Sequence, residues 1–406
     1  MVAALPAQSA GSSGDPTEGQ VAALSPQPDG VSGRVEPSPA SEGPNRVAQS
    51  KLSEFESQPC GCWKLTGGAS LYYLKPYADG NTAYQTTTIT TGPVGSTYTT
   101  SGQTITQDFD WNMKPAGAFW LGIANPCGLG IRARYFHFDA ASADALVSLT
   151  PGQESTPPGQ VPSITNVISP SPFVPQTFPG ALAPNAANIQ AFGAPSELLS
   201  VAGVGQDDLV FRSTLKIETV DLEPTFEWSA GNGSFLAGAG VRYLQITQTY
   251  QAGLQNLGGG GPASEFETLS LSNRFRGIGP TLSGEFTWTF NNTGLAFFVS
   301  GRGSLLVGSA HRLAVLTDAL TDPTGLTGGG VPEFKQRESR IPTTTNIVLP
   351  MAELELGLEY GLNLGNKRLY FRGAVVDQTY FDAGNASRTT GNLGLFGCQV
   401  TTGLNF

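Results

Sequence analysis

From residue 344 to 362 the chain alternates between two kinds of side chain. Leu354, Leu356, Leu358, Tyr360 and Leu362 share one parity, and Glu353, Glu355 and Glu359 share the other. Successive side chains of a strand point to opposite faces, so this segment reads as a strand with one apolar and one carboxylate face. The same period recurs along the chain. Leu129, Ile131, Ala133 and Tyr135 alternate with Arg132 and Arg134. Leu209, Phe211, Leu215 and Ile217 alternate with Arg212, Lys216 and Glu218. Leu282, Phe286, Trp288 and Phe290 alternate with Glu285, Thr287 and Thr289; Leu295, Phe297 and Val299 with Ser300, Arg302 and Ser304; Leu369, Phe371 and Val375 with Arg372. Past Ile217 the apolar parity switches to Val220 and Leu222. The expectation there is a β-bulge, which turns Asp221, Glu223 and Glu227 inward.

The pattern predicts about ten strands, at 62–75, 106–124, 129–140, 208–229, 234–252, 267–290, 295–316, 344–362, 368–382 and 391–406. Four pairs are joined by tight polar turns, Asn125-Pro126-Cys127-Gly128, Ala230-Gly231-Asn232-Gly233, Asn291-Asn292-Thr293-Gly294 and Asn363-Leu364-Gly365-Asn366. The other connections, 76–105, 142–207 and 317–343, are long. Aromatics cluster beside the short turns, and Trp120, Trp228, Trp288, Phe290, Tyr360 and Tyr370 are assigned to a girdle. Short turns on one side, long loops on the other and an aromatic row are the signature of an all-β, up-and-down outer-membrane barrel. The even strand count puts both termini on the periplasmic side. Segments 82–91 and 96–105 are expected as an extracellular hairpin; were they to cross the membrane, the count would be twelve.

A carboxylate facing lipid costs on the order of 2–4 kcal/mol or somewhat less, so the charged faces should line a polar lumen. The pore-lining set is then Arg132, Arg134, Arg212, Lys216, Glu218, Asp221, Glu223, Arg242, Glu285, Arg302, Glu353, Glu355, Glu359 and Arg372. Arg274 and Arg276 break the pattern of their strand and are placed above the membrane. Two readings of the lumen stand open. One is a water-filled pore in which charge tunes ion preference. The other is a closed barrel packed with salt bridges, since ten strands lie near the size that side chains can fill.

Composition sharpens this in three places. There is no apolar run long enough for a membrane helix, and mean hydropathy is near zero, as alternating strands require. Net charge is −10, without a basic cluster, which argues against a nucleic-acid partner. Residues 1–58 are rich in Pro, Ser, Gly and Ala and are expected as a disordered periplasmic tail, leaving 59–406 to the barrel. The stretch from Met1 to Ala10 is similar to the small-residue end of a signal peptide, so the translation start is expected upstream. The loop 142–207 holds ten prolines; it either constricts the barrel or stands outside it. Cys127 is expected on the same side as Cys60 and Cys62, where a disulfide and free thiols are both open readings.

The order of short motifs resembles one family. Phe109-Asp110-Trp111, Phe119-Trp120-Leu121-Gly122 and the run Cys127 to Asp139 are similar to the Legionella-type major outer-membrane proteins. So are Thr219-Val220-Asp221-Leu222-Glu223, Gly240-Val241-Arg242-Tyr243, Gly277-Ile278-Gly279-Pro280-Thr281 and Asn392 to Gly397. The resemblance covers roughly 63–406. It implies a porin-like channel in the bacterial outer membrane for passive diffusion of ions and small hydrophilic solutes. The excess of acids points to a mild cation preference. The last strand, ending on Phe406, is similar to the signal read by the barrel-assembly machinery, which with the lipid bilayer completes the expected partners. The alternative is a closed structural or adhesive barrel acting through its extracellular loops. Enzymatic readings are weaker. The only histidines are His137 and His311, the pair His137 and Asp139 has no nucleophile motif beside it, and no metal or cofactor spacing occurs.

Overall fold

The computed structural model describes residues 63–94, 97–149, 163–170, 205–258, 265–290, 293–322, 333–365 and 367–405. All regular structure there is β. In chain order the strands are β1 Lys64–Ala78, β2 Thr82–Val94, β3 Thr97–Asp108, β4 Lys114–Ala124, β5 Leu129–Ala141, β6 Ala145–Leu149 and β7 Ser163–Pro170. They continue as β8 Gly205–Ala230, β9 Gly233–Gly258, β10 Glu265–Thr289, β11 Leu295–Asp322, β12 Glu333–Leu364, β13 Lys367–Tyr380 and β14 Leu393–Asn405.

Ten of these close a ring. Antiparallel neighbours run β5-β4-β1-β14-β13-β12-β11-β10-β9-β8, and β8 returns to β5. The short strand β6 extends β5 along β8. The expected extra hairpin exists as β2 and β3, but it joins β7 in a separate three-stranded sheet, so the barrel has ten strands and not twelve. The segment 317–343, expected as a long connection, is largely strand: β11 and β12 stay paired out to Asp322 and Glu333. Part of 142–207 likewise forms β6, β7 and the start of β8.

The turns hold the register for a backbone reason. Gly128, Gly231, Gly294 and Gly365, one in each short turn, all have positive φ, a conformation open chiefly to glycine. At Gly128 the space is also closed, because a Cβ would lie 2.0 Å from the carbonyl oxygen of Glu227.

The β-bulge expected after Ile217 is absent. The β8–β9 ladder keeps one register from Gly205 and Gly258 to Ala230 and Gly233, and β5–β8 does the same. Odd residues of β8 face inward throughout: Leu209, Phe211, Leu215 and Ile217, then Thr219, Asp221 and Glu223, are all buried. The environment switches, not the phase. Near the short turns the outer face is apolar, with Val220, Leu222 and Trp228 exposed, and the inner face is polar. Towards the long connections the outer face carries Arg212, Lys216 and Glu218 while the inner face becomes apolar. Water outside the wall forces apolar side chains inward there, and lipid outside forces the opposite below.

The boundary is one row wide. Tyr135, Val220, Tyr243, Ile278, Val307 and Val348 are cross-strand neighbours on the outer face. The next row up reads His137, Glu218, Gln245, Arg276, Ser309 and Asn346. Above this line β8 to β12 continue as a tall wall of strands 25 to 32 residues long, where about 9–11 residues suffice to span a bilayer.

Candidate functional site

The lumen at membrane depth is filled by arginine and carboxylate side chains. Arg132 and Arg134 come from β5, Asp221 and Glu223 from β8, Arg242 from β9, Glu285 from β10, Arg302 from β11, Glu353, Glu355 and Glu359 from β12, and Arg372 from β13. Each sits on the inward parity that alternation dictates. Arg242 forks onto Asp221 at 2.6 and 2.8 Å. Arg134 forks onto Glu353 at 2.8 and 3.2 Å and donates to the Tyr72 hydroxyl at 2.9 Å. Arg302 ties the two groups together, with Nε 3.2 Å from Glu223 and Nη1 3.3 Å from Glu353. Arg132 donates to Glu223 at 2.8 Å.

Closer to the short turns Arg372 forks onto Glu285 at 2.6 and 3.0 Å and donates to Glu359 at 2.7 Å. Arg368 joins it on Glu359. The Arg372 guanidinium stacks 4.7 Å from the Phe298 ring centre and 5.0 Å from that of Tyr370. Guanidinium suits this site, because its planar fork stays charged and meets both oxygens of a carboxylate.

The Arg134–Glu353 pair decides the shape of the lumen. β5 and β12 stand opposite each other in the ring, five strands apart by either route, so this ion pair crosses the diameter. Both side chains are almost fully buried, at 10% and 3% exposure. Beneath the network a polar vestibule of about 160 Å³ opens among Thr66, Trp120, Arg132, Glu227, Glu285 and Arg372.

Above it the inward faces are apolar. Leu74, Phe136, Phe138, Ile217, Leu244, Ile246, Leu306, Leu349 and Leu395 form one buried cluster, joined from outside the barrel strands by Phe109 and Trp111. The β13–β14 connection, residues 381–392, folds over this layer. Gln248 donates to the carbonyl of Gly384 and Arg312 to that of Arg388, at 3.2 and 2.9 Å. On its near side Asn385 donates to the Asp79 and Gly80 carbonyls. β9 lies opposite β14 in the ring, so the loop reaches across the mouth. Sequence reasoning missed it. Its only signal was a turn-rich run, Asp382-Ala383-Gly384-Asn385, at the start of the connection expected between the strands 368–382 and 391–406.

Eleven of the fourteen expected lumen residues are therefore in the lumen. Arg212, Lys216 and Glu218 are not. They lie on the outer wall above the lipid boundary, Arg212 bound to Asp144 at 2.6 Å and Lys216 to Glu218 at 3.0 Å. The Asp144 carboxyl is held below its ordinary range by the hydrogen bond from Arg212. Arg274 and Arg276 stand on the outer wall above the boundary, as expected.

Of the girdle, Trp228, Trp288, Phe290 and Tyr360 are exposed on the outer face. Trp120 and Tyr370 are on the inward parity. Trp120 lines the vestibule, with Gly68 leaving it room: a Cβ there would be 3.0 Å from the indole. Tyr370 is buried beside Arg372. Phe406, Cys60 and Cys62 lie outside the described residues. Cys127 is disulfide-bonded, and Cys398 is free and exposed. His137 and His311 are both on the outer wall, on strands four places apart in the ring.

The family model described as the Legionella pneumophila major outer membrane protein precursor matches residues 57–404. The chain belongs to this family. It is an outer-membrane β-barrel protein. Among solved structures it is similar to the outer membrane protease OmpT from Escherichia coli, at 10% identity over 86% of this chain and 99% of that one, with a TM-score of 0.36. A Pseudomonas aeruginosa FadL homologue matches at 9% identity over 85% and 90% of the two chains, with a TM-score of 0.22. No curated protein sequence matches it.

Proposed function

We propose that this family member is a closed outer-membrane barrel that works through its extracellular wall. The observation that carries this reading is the diametric Arg134–Glu353 ion pair, set in a network that spans the lumen and lies beneath an apolar layer and a cross-mouth loop. An open diffusion pore needs a continuous column of water, and the ion-pair network, the apolar layer and the loop 381–392 all stand across its path, which supports the closed reading. Six carboxylates, Asp221, Glu223, Glu285, Glu353, Glu355 and Glu359, are ion-paired to six guanidiniums, those of Arg132, Arg134, Arg242, Arg302, Arg368 and Arg372, and Glu227 in the vestibule is a further acid beside them. Such near-complete pairing favours internal neutralisation over ion selection. The tall wall of β8 to β12 and the separate sheet of β2, β3 and β7 supply the surface on which a structural or adhesive role rests.

The second reading is a porin-like channel for ions and small hydrophilic solutes, favoured by the charged lining at membrane depth and the polar vestibule. It requires the network to part and residues 381–392 to withdraw. Single-channel recording in a planar bilayer separates the two, with heat-modifiable gel mobility as the folding control. The closed reading expects a folded barrel without discrete steps. Regular steps would overturn it, and a salt-gradient reversal potential would then test the mild cation preference. A non-enzymatic role is part of the proposal: replacing His137 and His311 together should leave the heat-modifiable gel mobility and the conductance of the refolded barrel unchanged.

A further inference from the structure

The outer wall carries a basic site at the level of the lipid headgroups. Arg276 stands one row above Ile278, its strand's member of the apolar boundary row on the outer face, and Arg274 one row higher. Their guanidiniums converge on one acceptor: Arg276 Nε and Arg274 Nη2 both donate to the Gln245 side-chain oxygen, at 3.0 and 3.2 Å. Both side chains are exposed, and neither pairs with a carboxylate among the described residues. Glu218, the nearest acid in the same row, is two strands away and held by Lys216. On the other flank β11 and β12 present hydroxyls and an imidazole: Ser309 lies 3.2 Å and Thr344 3.0 Å from the ring nitrogens of His311, which is directly opposite Arg274.

Among the described residues, the arginines at membrane depth are ion-paired inside the barrel. These two are left facing outward, at the height where the outer leaflet presents its charged groups, and already oriented on a single oxygen. Each guanidinium has five donors, and most remain free for a larger acceptor. Planar forks that close on one oxyanion are the recognised chemistry for phosphate.

We propose that Arg274 and Arg276, with Gln245 and His311, bind a phosphate-bearing glycolipid headgroup of the outer leaflet. The acyl chains of such a lipid would lie on the apolar row Tyr243, Ile278 and Val307 immediately below. The site is independent of whether the lumen conducts.

The test uses the full-length protein refolded in detergent micelles and titrated calorimetrically with lipid A bearing both phosphates. Lipid A stripped of phosphate and inorganic phosphate serve as the comparison arms. The phosphorylated lipid should bind at least about tenfold more tightly than the stripped lipid, since charge-assisted hydrogen bonds are the stronger class. The double variant R274Q/R276Q should lose that advantage. Q245E, which places a carboxylate against both guanidiniums without touching the barrel interior, should lose it too and decides the matter if the double variant does not fold. R340Q, whose arginine pairs with Glu338 elsewhere on the wall, should bind as the parent does. Equal affinity for the stripped lipid, parent-like binding by the arginine or Q245E variants, or full competition by equimolar inorganic phosphate would each overturn the proposal.

Discussion

Truncation of Glu353 tests whether the lumen is packed or wet. In Glu353→Ala, Arg242 keeps its fork on Asp221 and Arg302 keeps Glu223. Arg134 does not fare as well. It retains only the Tyr72 hydroxyl at 2.9 Å and Glu355 at 3.9 Å, with its guanidinium still shut away from solvent. Removing one partner of a buried pair costs about 3–5 kcal/mol. The value here should be near 3 kcal/mol, because Glu355 can move towards the stranded charge. Replacing both partners by apolar residues, Arg134→Met with Glu353→Leu, should recover part of the loss, since the stranded guanidinium is gone while Glu355 gives up its 3.9 Å contact with Arg134. The assay is equilibrium urea unfolding of the barrel refolded into lipid vesicles, read by tryptophan emission and by gel mobility. In a water-filled pore the same pair would be solvated on both sides and contribute about 0–1 kcal/mol. A measured cost below about 1 kcal/mol for Glu353→Ala would therefore refute the packed-lumen argument and revive the channel.

Three further outcomes are expected. Single-tryptophan variants in brominated lipid should show strong quenching at Trp228 and Trp288 and weak quenching at Trp120; equal quenching of all three would put Trp120 back in the girdle. Gly128→Ala should impair folding, since its Cβ would collide with the Glu227 carbonyl, whereas Gly365→Ala has open space around it and should cost only the left-handed backbone strain, about 1–2 kcal/mol; unfolding midpoints in urea compare the two. Replacing Gln248 and Arg312 by alanine should speed hydrogen exchange in residues 383–391 while strand amides stay protected; unchanged exchange there would mean that the loop is held by other contacts.

The ten crossing strands were legible because period-2 alternation and four glycine-bearing turns constrain each other. The side of the membrane on which a residue falls was not. Alternation separates two faces, but it does not say which one meets water. Arg212, Lys216 and Glu218 share neither the lumen nor its purpose with Glu223, although they lie on one strand, because the solvent outside the wall changes from water to lipid between them. The phase switch at Ile217 was the visible trace of that change and was misread as a backbone defect. Trp120 and Tyr370 failed for a local reason. In Phe119-Trp120-Leu121 and in Leu369-Tyr370-Phe371 both parities are apolar or aromatic, so the sequence around each is ambiguous. The glycines that admit their rings, Gly68 and Gly403, are on neighbouring strands.

The tall wall has a side that is not closed into a ring. Above Met351, β12 has β11 on one flank and, past the hydrogen bond from the Phe381 amide to the Pro350 carbonyl, no partner strand on the other among the described residues. Its edge therefore runs on as open backbone, the kind of template on which a second chain can add a strand. Pro342 and Pro350, which have no N–H to offer, and the Glu338–Arg340 pair lie along that stretch. Such residues act as a guard rail along an open edge, leaving a second strand fewer backbone groups to zip onto while the wall stays exposed.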